Sequence, residues 1–184
     1  MRVIGGTLKG KKLAGIRGRA IRPTADRLRE SIFNIIAPWV ADAVVLDLFA
    51  GTGAFGIEAL SRRARAAVFI DNSRTAVNLI QRNLQMCRLQ DRAHVICWDV
   101  TRGLTASVMR QPPCNLVFMD PPYNQGLVYV GVNLLRRSPL LAPGHRLILE
   151  HALGEPLAPV PDGYRLYDQR RYGKTLVSFL ESVV

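Results

Sequence analysis

The sequence predicts an α/β fold: a mostly parallel sheet that ends in an antiparallel hairpin and is preceded by a small basic extension. Three observations carry this. Short apolar runs alternate with stretches of helical periodicity from Val44 onward. The first run, Val44 to Phe49, breaks into Gly51, Gly53 and Gly56, as a buried strand, a tight turn and a helix start would. At the far end, two strand-like segments flank Tyr172-Gly173-Lys174. At 184 residues there is room for one domain with a full core and at most a small appendage.

The extension, residues 1–37, comes first. It holds nine lysines and arginines against Asp26 and Glu30, so most of the chain's net charge of +11 sits at one end and favours a polyanionic partner such as nucleic acid. Val3 to Leu13, punctuated by Gly5-Gly6 and Lys9-Gly10, reads either as a hairpin presenting Lys9, Lys11 and Lys12 or as a solvated basic tail. A helix is expected after Pro23, with Thr24 as its cap and Asp26 in the first turn, where the helix dipole favours an anion. Leu28, Ile32, Ile35 and Ile36 recur at helical spacing, leaving Arg27 and Arg29 on the other face until Pro38 stops the helix.

Residues 38–184 should form the main domain. Parallel strands are expected near Val44 to Phe49, Ala67 to Asp71, Val95 to Trp98, Leu116 to Met119 and Arg146 to Glu150. Helices should fill Phe55 to Arg63, Arg74 to Cys87 and Leu127 to Arg136, with a weaker one near Leu104 to Met109. Tyr164 to Arg171 and Thr175 to Leu180 make the closing hairpin. Cys87, Cys97 and Cys114 are odd in number and lack C-x-x-C spacing, which signals neither a disulfide framework nor a zinc site; a reduced, cytoplasmic protein is expected, with no metal. No apolar run reaches the roughly 18 residues of a membrane helix, and none looks like a signal-peptide core.

Gly51-Thr52-Gly53-Ala54-Phe55-Gly56 satisfies G-x-G-x-x-G, in which glycine permits a tight turn and close approach of a ligand to the backbone. Dinucleotide enzymes share this pattern. Asp47, at the end of the preceding strand, would repel a pyrophosphate but attract a cation, which tilts the reading from NAD to S-adenosylmethionine with its ammonium and sulfonium. Asp71 closes the second strand where a carboxylate can accept two ribose hydroxyls, and Asp99 closes the third, placed for an adenine amino group; strand-end helix capping is the plainer reading of both. The second signal is Asp120-Pro121-Pro122-Tyr123, directly after the fourth strand. The prolines fix the backbone so that the Asp120 side chain and the Pro121 carbonyl can accept the two hydrogens of an exocyclic amine. Tyr123 would stack on the base, a contact worth about 1–3 kcal/mol.

Asp47-x-Phe49-x-Gly51-x-Gly53 followed by Asp120-Pro-Pro-Tyr resembles a class I S-adenosylmethionine-dependent methyltransferase with a Rossmann-like fold acting on an amino nitrogen. More narrowly, Arg2 to Gly6, Lys9 to Leu13, Arg22-Pro23-Thr24, Asp26 to Glu30, Phe33-Asn34, Gly56 to Arg62 and Tyr172-Gly173-Lys174 resemble the RsmD family. The resemblance implies methylation of a guanine N2 in 16S ribosomal RNA, as free RNA or as a small-subunit particle, with no membrane and no obligate protein partner. It also implies that Phe49 belongs to the cofactor loop, and that Arg22, Thr24, Arg27, Arg29 and Asn34 face the RNA or the rim of the site; an ordinary solvated helix face is the alternative. The sequence departs from the family in two places, with Asp71 where Glu is commoner and Arg63 where a glycine usually closes the first helix. The rivals are a DNA adenine-N6 methyltransferase, for which the chain has little room for a target-recognition insert, a protein amide methyltransferase, an NAD-linked dehydrogenase and, from another class, a non-catalytic RNA-binding assembly factor.

Overall fold

Alternation along each strand decides which layer its side chains join. The computed structural model describes residues 1–15, 23–103, 110–136, 138–155, 157 and 159–183. Within them lie strands β1 (Val44–Leu48), β2 (Ala66–Asp71), β3 (Ala93–Cys97), β4 (Cys114–Met119), β5 (Leu141–Ala152), β6 (Tyr164–Tyr172) and β7 (Thr175–Ser182). Helices α1 (Pro23–Ile35), α2 (Ala54–Ser61), α3 (Arg74–Cys87) and α4 (Leu127–Arg136) accompany them. The expected helix at Leu104 to Met109 falls outside the described residues.

The seven strands form one sheet in the order β3-β2-β1-β4-β5-β7-β6. β1 to β5 are parallel, and β7 runs antiparallel to both of its neighbours, as the closing hairpin requires. Helices cover both faces, so β1 is buried along its whole length and reads as a continuous apolar run. Val45, Phe69, Leu116, Phe118 and Phe179 pack in one layer with Phe33 of α1, Ile36 just after it, Ile57 and Leu60 of α2 and Ile80 of α3. Leu46, Leu48, Val68, Val117 and Met119 pack in the other with Val128, Val132 and Leu135 of α4.

Two elements and one side chain differ from expectation. β5 begins at Leu141 rather than near Arg146, because it serves two partners: its start pairs with β4 and its end runs on against β7 as far as Ala152. Pro143 and Gly144 in that stretch conceal it in the sequence. α1 starts at Pro23, which puts Thr24 inside the first turn rather than at the cap. Arg29 is the clearest correction, being 3% exposed rather than on the open face. It donates to the Arg2 carbonyl at 2.6 Å, pairs with Asp26 at 3.1 Å and lies 3.8 Å from Glu58.

Those contacts belong to a staple that fastens the chain's first residues to the sheet's helices. Backbone hydrogen bonds from Val3 to Lys11, Gly10 to Val3 and Leu13 to Met1 fold the segment into a hairpin. Glu58 of α2, 1% exposed, accepts the Ile4 and Gly5 N–H groups at 2.8 and 2.7 Å and holds Arg62 at 2.8 Å. Ser61 accepts from Leu8 N–H and donates to the Gly5 carbonyl, while Asn83 of α3 brackets Ala14 and reaches the Thr52 carbonyl. Val3 and Leu13 are buried in the same layer as α1, so the segment is a packed hairpin that holds Lys9, Lys11 and Lys12 in solvent.

Candidate active site

The strand order reverses between β1 and β4, and open α/β sheets bind ligands in the crevice outside the carboxyl ends of strands at such a point. Leu48 pairs with Met119, so residues 49 and 120 leave the sheet side by side. The two motifs of the sequence therefore face each other across one crevice.

On the β1 side the chain turns at Phe49, whose φ of 59° is left-handed. That breaks the alternation, and the ring joins the α4 layer, beside Gly131, whose missing Cβ leaves room for the Met119 thioether. Gly51 and Gly53 follow with φ of 55° and 75°, and Gly53 N–H closes the turn on the Ala50 carbonyl at 2.7 Å. A Cβ built on Gly51 would meet nothing closer than the Phe49 carbonyl at 3.9 Å, so the backbone lies open to a ligand there. Gly56 faces the opposite way: its missing Cβ would sit 2.3 Å from the Phe69 ring, and glycine lets α2 lie against β2.

Carboxylates hold this loop. Asp47, 3% exposed, accepts the Gly56 N–H at 2.9 Å. Burial pushes its carboxyl up to about 7, the Gly56 hydrogen bond pulls it down, and the charge of Asp71 raises it further. The side chain expected to meet a cationic ligand is thus turned inward as a brace. Asp71 accepts Gly51 N–H at 2.8 Å through one oxygen and Ser73 N–H at 2.8 Å through the other. Each oxygen retains a lone pair, so the half-buried carboxylate can still receive a diol. Asp99 takes the capping role, accepting Thr101 N–H at 3.0 Å and Thr101 Oγ1–H at 2.7 Å, and those two hydrogen bonds hold its carboxyl below the usual range.

On the β4 side, Asp120 is exposed, Pro121 buried and Pro122 exposed. Tyr123, 37% exposed, donates its hydroxyl to Glu150 Oε1 at 2.7 Å, with Thr175 Oγ1 at 3.3 Å. Burial first, then the Glu150 charge, raises the phenol far above its ordinary value, and burial raises Glu150 as well. Glu155 accepts Asn124 N–H at 2.8 Å and Gly126 N–H at 2.9 Å. Sequence reasoning missed both glutamates. A signal for Glu150 exists, since the first four parallel strands also end within two residues of a carboxylate: Asp47, Asp71, Asp99 and Asp120. Glu155 lies beyond β5 with no motif around it.

Of the RNA-facing candidates, Lys9, Lys11, Lys12, Arg27 and Asn34 are exposed and Arg29 is not. Arg22 and the side chain of Thr24 lie outside the described residues. Arg63, the family departure, has a φ of 74° and occupies a Schellman turn in which Ala64 N–H reaches the Ala59 carbonyl and Arg63 N–H the Leu60 carbonyl. α3 ends the same way on Arg88, φ 57°. The helix cap therefore forms without its glycine.

A sheet in this order, with a glycine loop after β1 and Asp-Pro-Pro-Tyr after β4, defines a class I methyltransferase. Comparison with known proteins agrees. The chain is 35% identical over 174 residues to ribosomal RNA small subunit methyltransferase D of Escherichia coli, covering 95% of this chain and 86% of that one. It is 30% identical over 173 residues to the protein of the same name in Haemophilus influenzae, covering 94% and 89%. The solved structure of yhhF from Escherichia coli, provisionally named a methyltransferase, superposes with a TM-score of 0.85 at 32% identity, covering 99% of this chain and 97% of that one. The chain belongs to the family described as Conserved hypothetical protein 95, the RsmD family that its motifs resemble, whose profile matches residues 1–181.

Proposed function

We propose that this chain transfers a methyl group from S-adenosylmethionine to the exocyclic N2 amino group of a guanine in 16S ribosomal RNA, as free RNA or within a small-subunit particle in the cytoplasm. The observation that carries this reading is the register of β1 with β4, which sets the glycine loop beside Asp120-Pro-Pro-Tyr. The names of the RsmD relatives support the substrate class.

The glycine loop fits the cofactor, because its Gly51 backbone is open and the half-buried Asp71 carboxylate beside it disfavours a pyrophosphate. Asp47, Phe49, Gly51 and Gly53 shape that cradle, Asp71 is assigned to the ribose hydroxyls and Asp99 to the adenine side. Bound there, S-adenosylmethionine supplies an electrophilic methyl on a positively charged sulfur. Asp120 and the Pro121 carbonyl accept the two amino hydrogens and hold the nitrogen, Pro122 fixes the loop, and Tyr123 offers its ring to the base. Catalysis then rests on orientation, since holding the two reactants in near-attack geometry can account for about 7–11 kcal/mol. The guanine must leave its stack, at a cost of a few kcal/mol. Lys9, Lys11, Lys12, Arg22, Thr24, Arg27 and Asn34 in the 1–37 segment are assigned to the RNA, offsetting that cost through phosphate contacts that weaken with salt. Arg29 is left out because it is buried.

The test is transfer of a radiolabelled methyl group to ribosomal RNA from cells lacking the gene, followed by nucleoside analysis. Label in N2-methylguanosine supports the reading. Label in a different nucleoside, such as N6-methyladenosine, or none, overturns it.

A further inference from the structure

The segment Asp120 to Gly126 is irregular, with left-handed φ at Asn124 (58°) and Gly126 (67°). Asparagine and glycine are the residues that tolerate this conformation best, and contacts from outside the segment fix it. Those surroundings are specific. Glu155 presents one carboxylate oxygen to Asn124 N–H and the other to Gly126 N–H, so a single side chain spans the left-handed turn. Glu150 holds the preceding Tyr123 hydroxyl.

Glu155 is itself located by a buried relay. Its N–H donates to the Ala152 carbonyl at 3.0 Å, and its carbonyl faces His151 Nδ1 at 2.9 Å. His151 is fully buried, and its Nε2 lies 2.8 Å from Ser178 Oγ, which also accepts from Gln169 Nε2 at 2.8 Å. A carbonyl can only accept, so Nδ1 carries the proton; burial disfavours a second proton on the ring, which leaves Nε2 to accept the Ser178 hydroxyl. The chain of bonds runs without a gap from β6 through β7 and β5 to the Asp-Pro-Pro-Tyr loop.

We infer that Glu155, set by His151 and Ser178, is a positioning residue that clamps the Asp120 to Gly126 loop in its amine-receiving conformation. The inference rests on the proposed reaction for its activity arm. A misplacement of about 1 Å at a reacting centre can cost roughly 100-fold, which is the scale expected when the clamp opens.

The experiment compares wild type with Glu155→Ala and Glu155→Gln, using the same ribosomal RNA at saturating concentration. Glu155→Ala should lower kcat by about 10- to 100-fold. Its affinity for S-adenosylmethionine should stay within about twofold, since the cofactor loop is braced by other carboxylates. Glu155→Gln retains one acceptor oxygen for the two N–H groups and should fall between the two, a rescue that bulk alone would not give. Amide hydrogen exchange, which needs no substrate, should speed up in Glu155→Ala across 120–127 and stay unchanged across 44–56. Wild-type kcat in Glu155→Ala, or unchanged exchange in 120–127, overturns the clamp. A wild-type protein inert toward RNA overturns the proposed reaction instead, and the exchange measurement then decides the clamp alone.

Discussion

The two loops that meet at the crevice leave neighbouring strands at the same level, yet they are held in different ways. The loop after β1 is braced from close by: Asp47 reaches nine residues to Gly56, and Asp71 reaches 20 residues back to Gly51 from the adjacent strand. The loop after β4 is braced from a distance, by Glu150 and Glu155, 27 to 31 residues further along. The first is a local device, its two carboxylates drawn from β1 itself and from the neighbouring β2. The second is assembled only when β5 and the hairpin have docked, so its geometry reports on the whole sheet.

Substitutions at the two loops should therefore separate binding from turnover. The largest effect is expected at Asp120→Ala, which removes one acceptor for the amine: kcat should fall by about 10²–10³-fold, the scale seen when one preorganised polar contact to the reacting group is lost. Affinity for S-adenosylmethionine, measured by calorimetry, should be nearly unchanged; equal turnover would break the assignment of chemistry to the β4 loop.

Asp47→Asn comes next. A carboxyl raised from 3.8 to about 7 binds its proton more tightly in the folded state, so its contribution is fully present below about pH 4 and is lost as pH rises through 7. Asparagine keeps an oxygen for Gly56 N–H without the buried charge. The variant should flatten the pH dependence of stability across that window and gain on the order of 2–3 kcal/mol at pH 8, after allowance for a weaker neutral hydrogen bond. Denaturant midpoints at pH 4 and pH 8 check this, and an unchanged slope would mean that Asp47 is ionised without penalty.

Gly56→Ala tests the contact beneath the loop. Better helix propensity returns about 1 kcal/mol, but a Cβ 2.3 Å from a fully buried Phe69 ring costs more, so a net loss of about 1–2 kcal/mol is expected. For a chain of this size that is a Tm lower by roughly 3–6 °C in calorimetry. The smallest effect, of opposite sign, belongs to Arg63→Gly. Relief of a left-handed arginine, less the entropy that glycine gains in the unfolded chain, leaves about 0.5 kcal/mol of stabilisation, read as a small rise in Tm.

The same contrast explains what the sequence made legible. Buried parallel strands are apolar runs between helical patterns, so the first four strands, the later part of β5 and the closing hairpin could be placed from composition and spacing alone. The glycine loop and Asp120-Pro-Pro-Tyr were equally plain, because a tight turn and a fixed carbonyl demand particular residues at particular spacings. Arg29 was not, since a cation three residues from Asp26 looks solvated until Glu58 and the Arg2 carbonyl fold over it. Nor was Glu155, whose partners are backbone N–H groups that every residue type but proline carries. Interactions of side chains with distant backbone leave no pattern in the chain.

The stapled N-terminal hairpin bears on the order in which the molecule can be built. Synthesis delivers the N-terminus first, but Glu58 follows Ile4 by 54 residues and Asn83 follows Ala14 by 69. Residues 1–15 therefore emerge as a short polycation with nothing to dock on, and wait through the translation of α1, β1, α2, β2 and most of α3. The hairpin is a latecomer to its own fold, made first and seated only after its clasp has been synthesised.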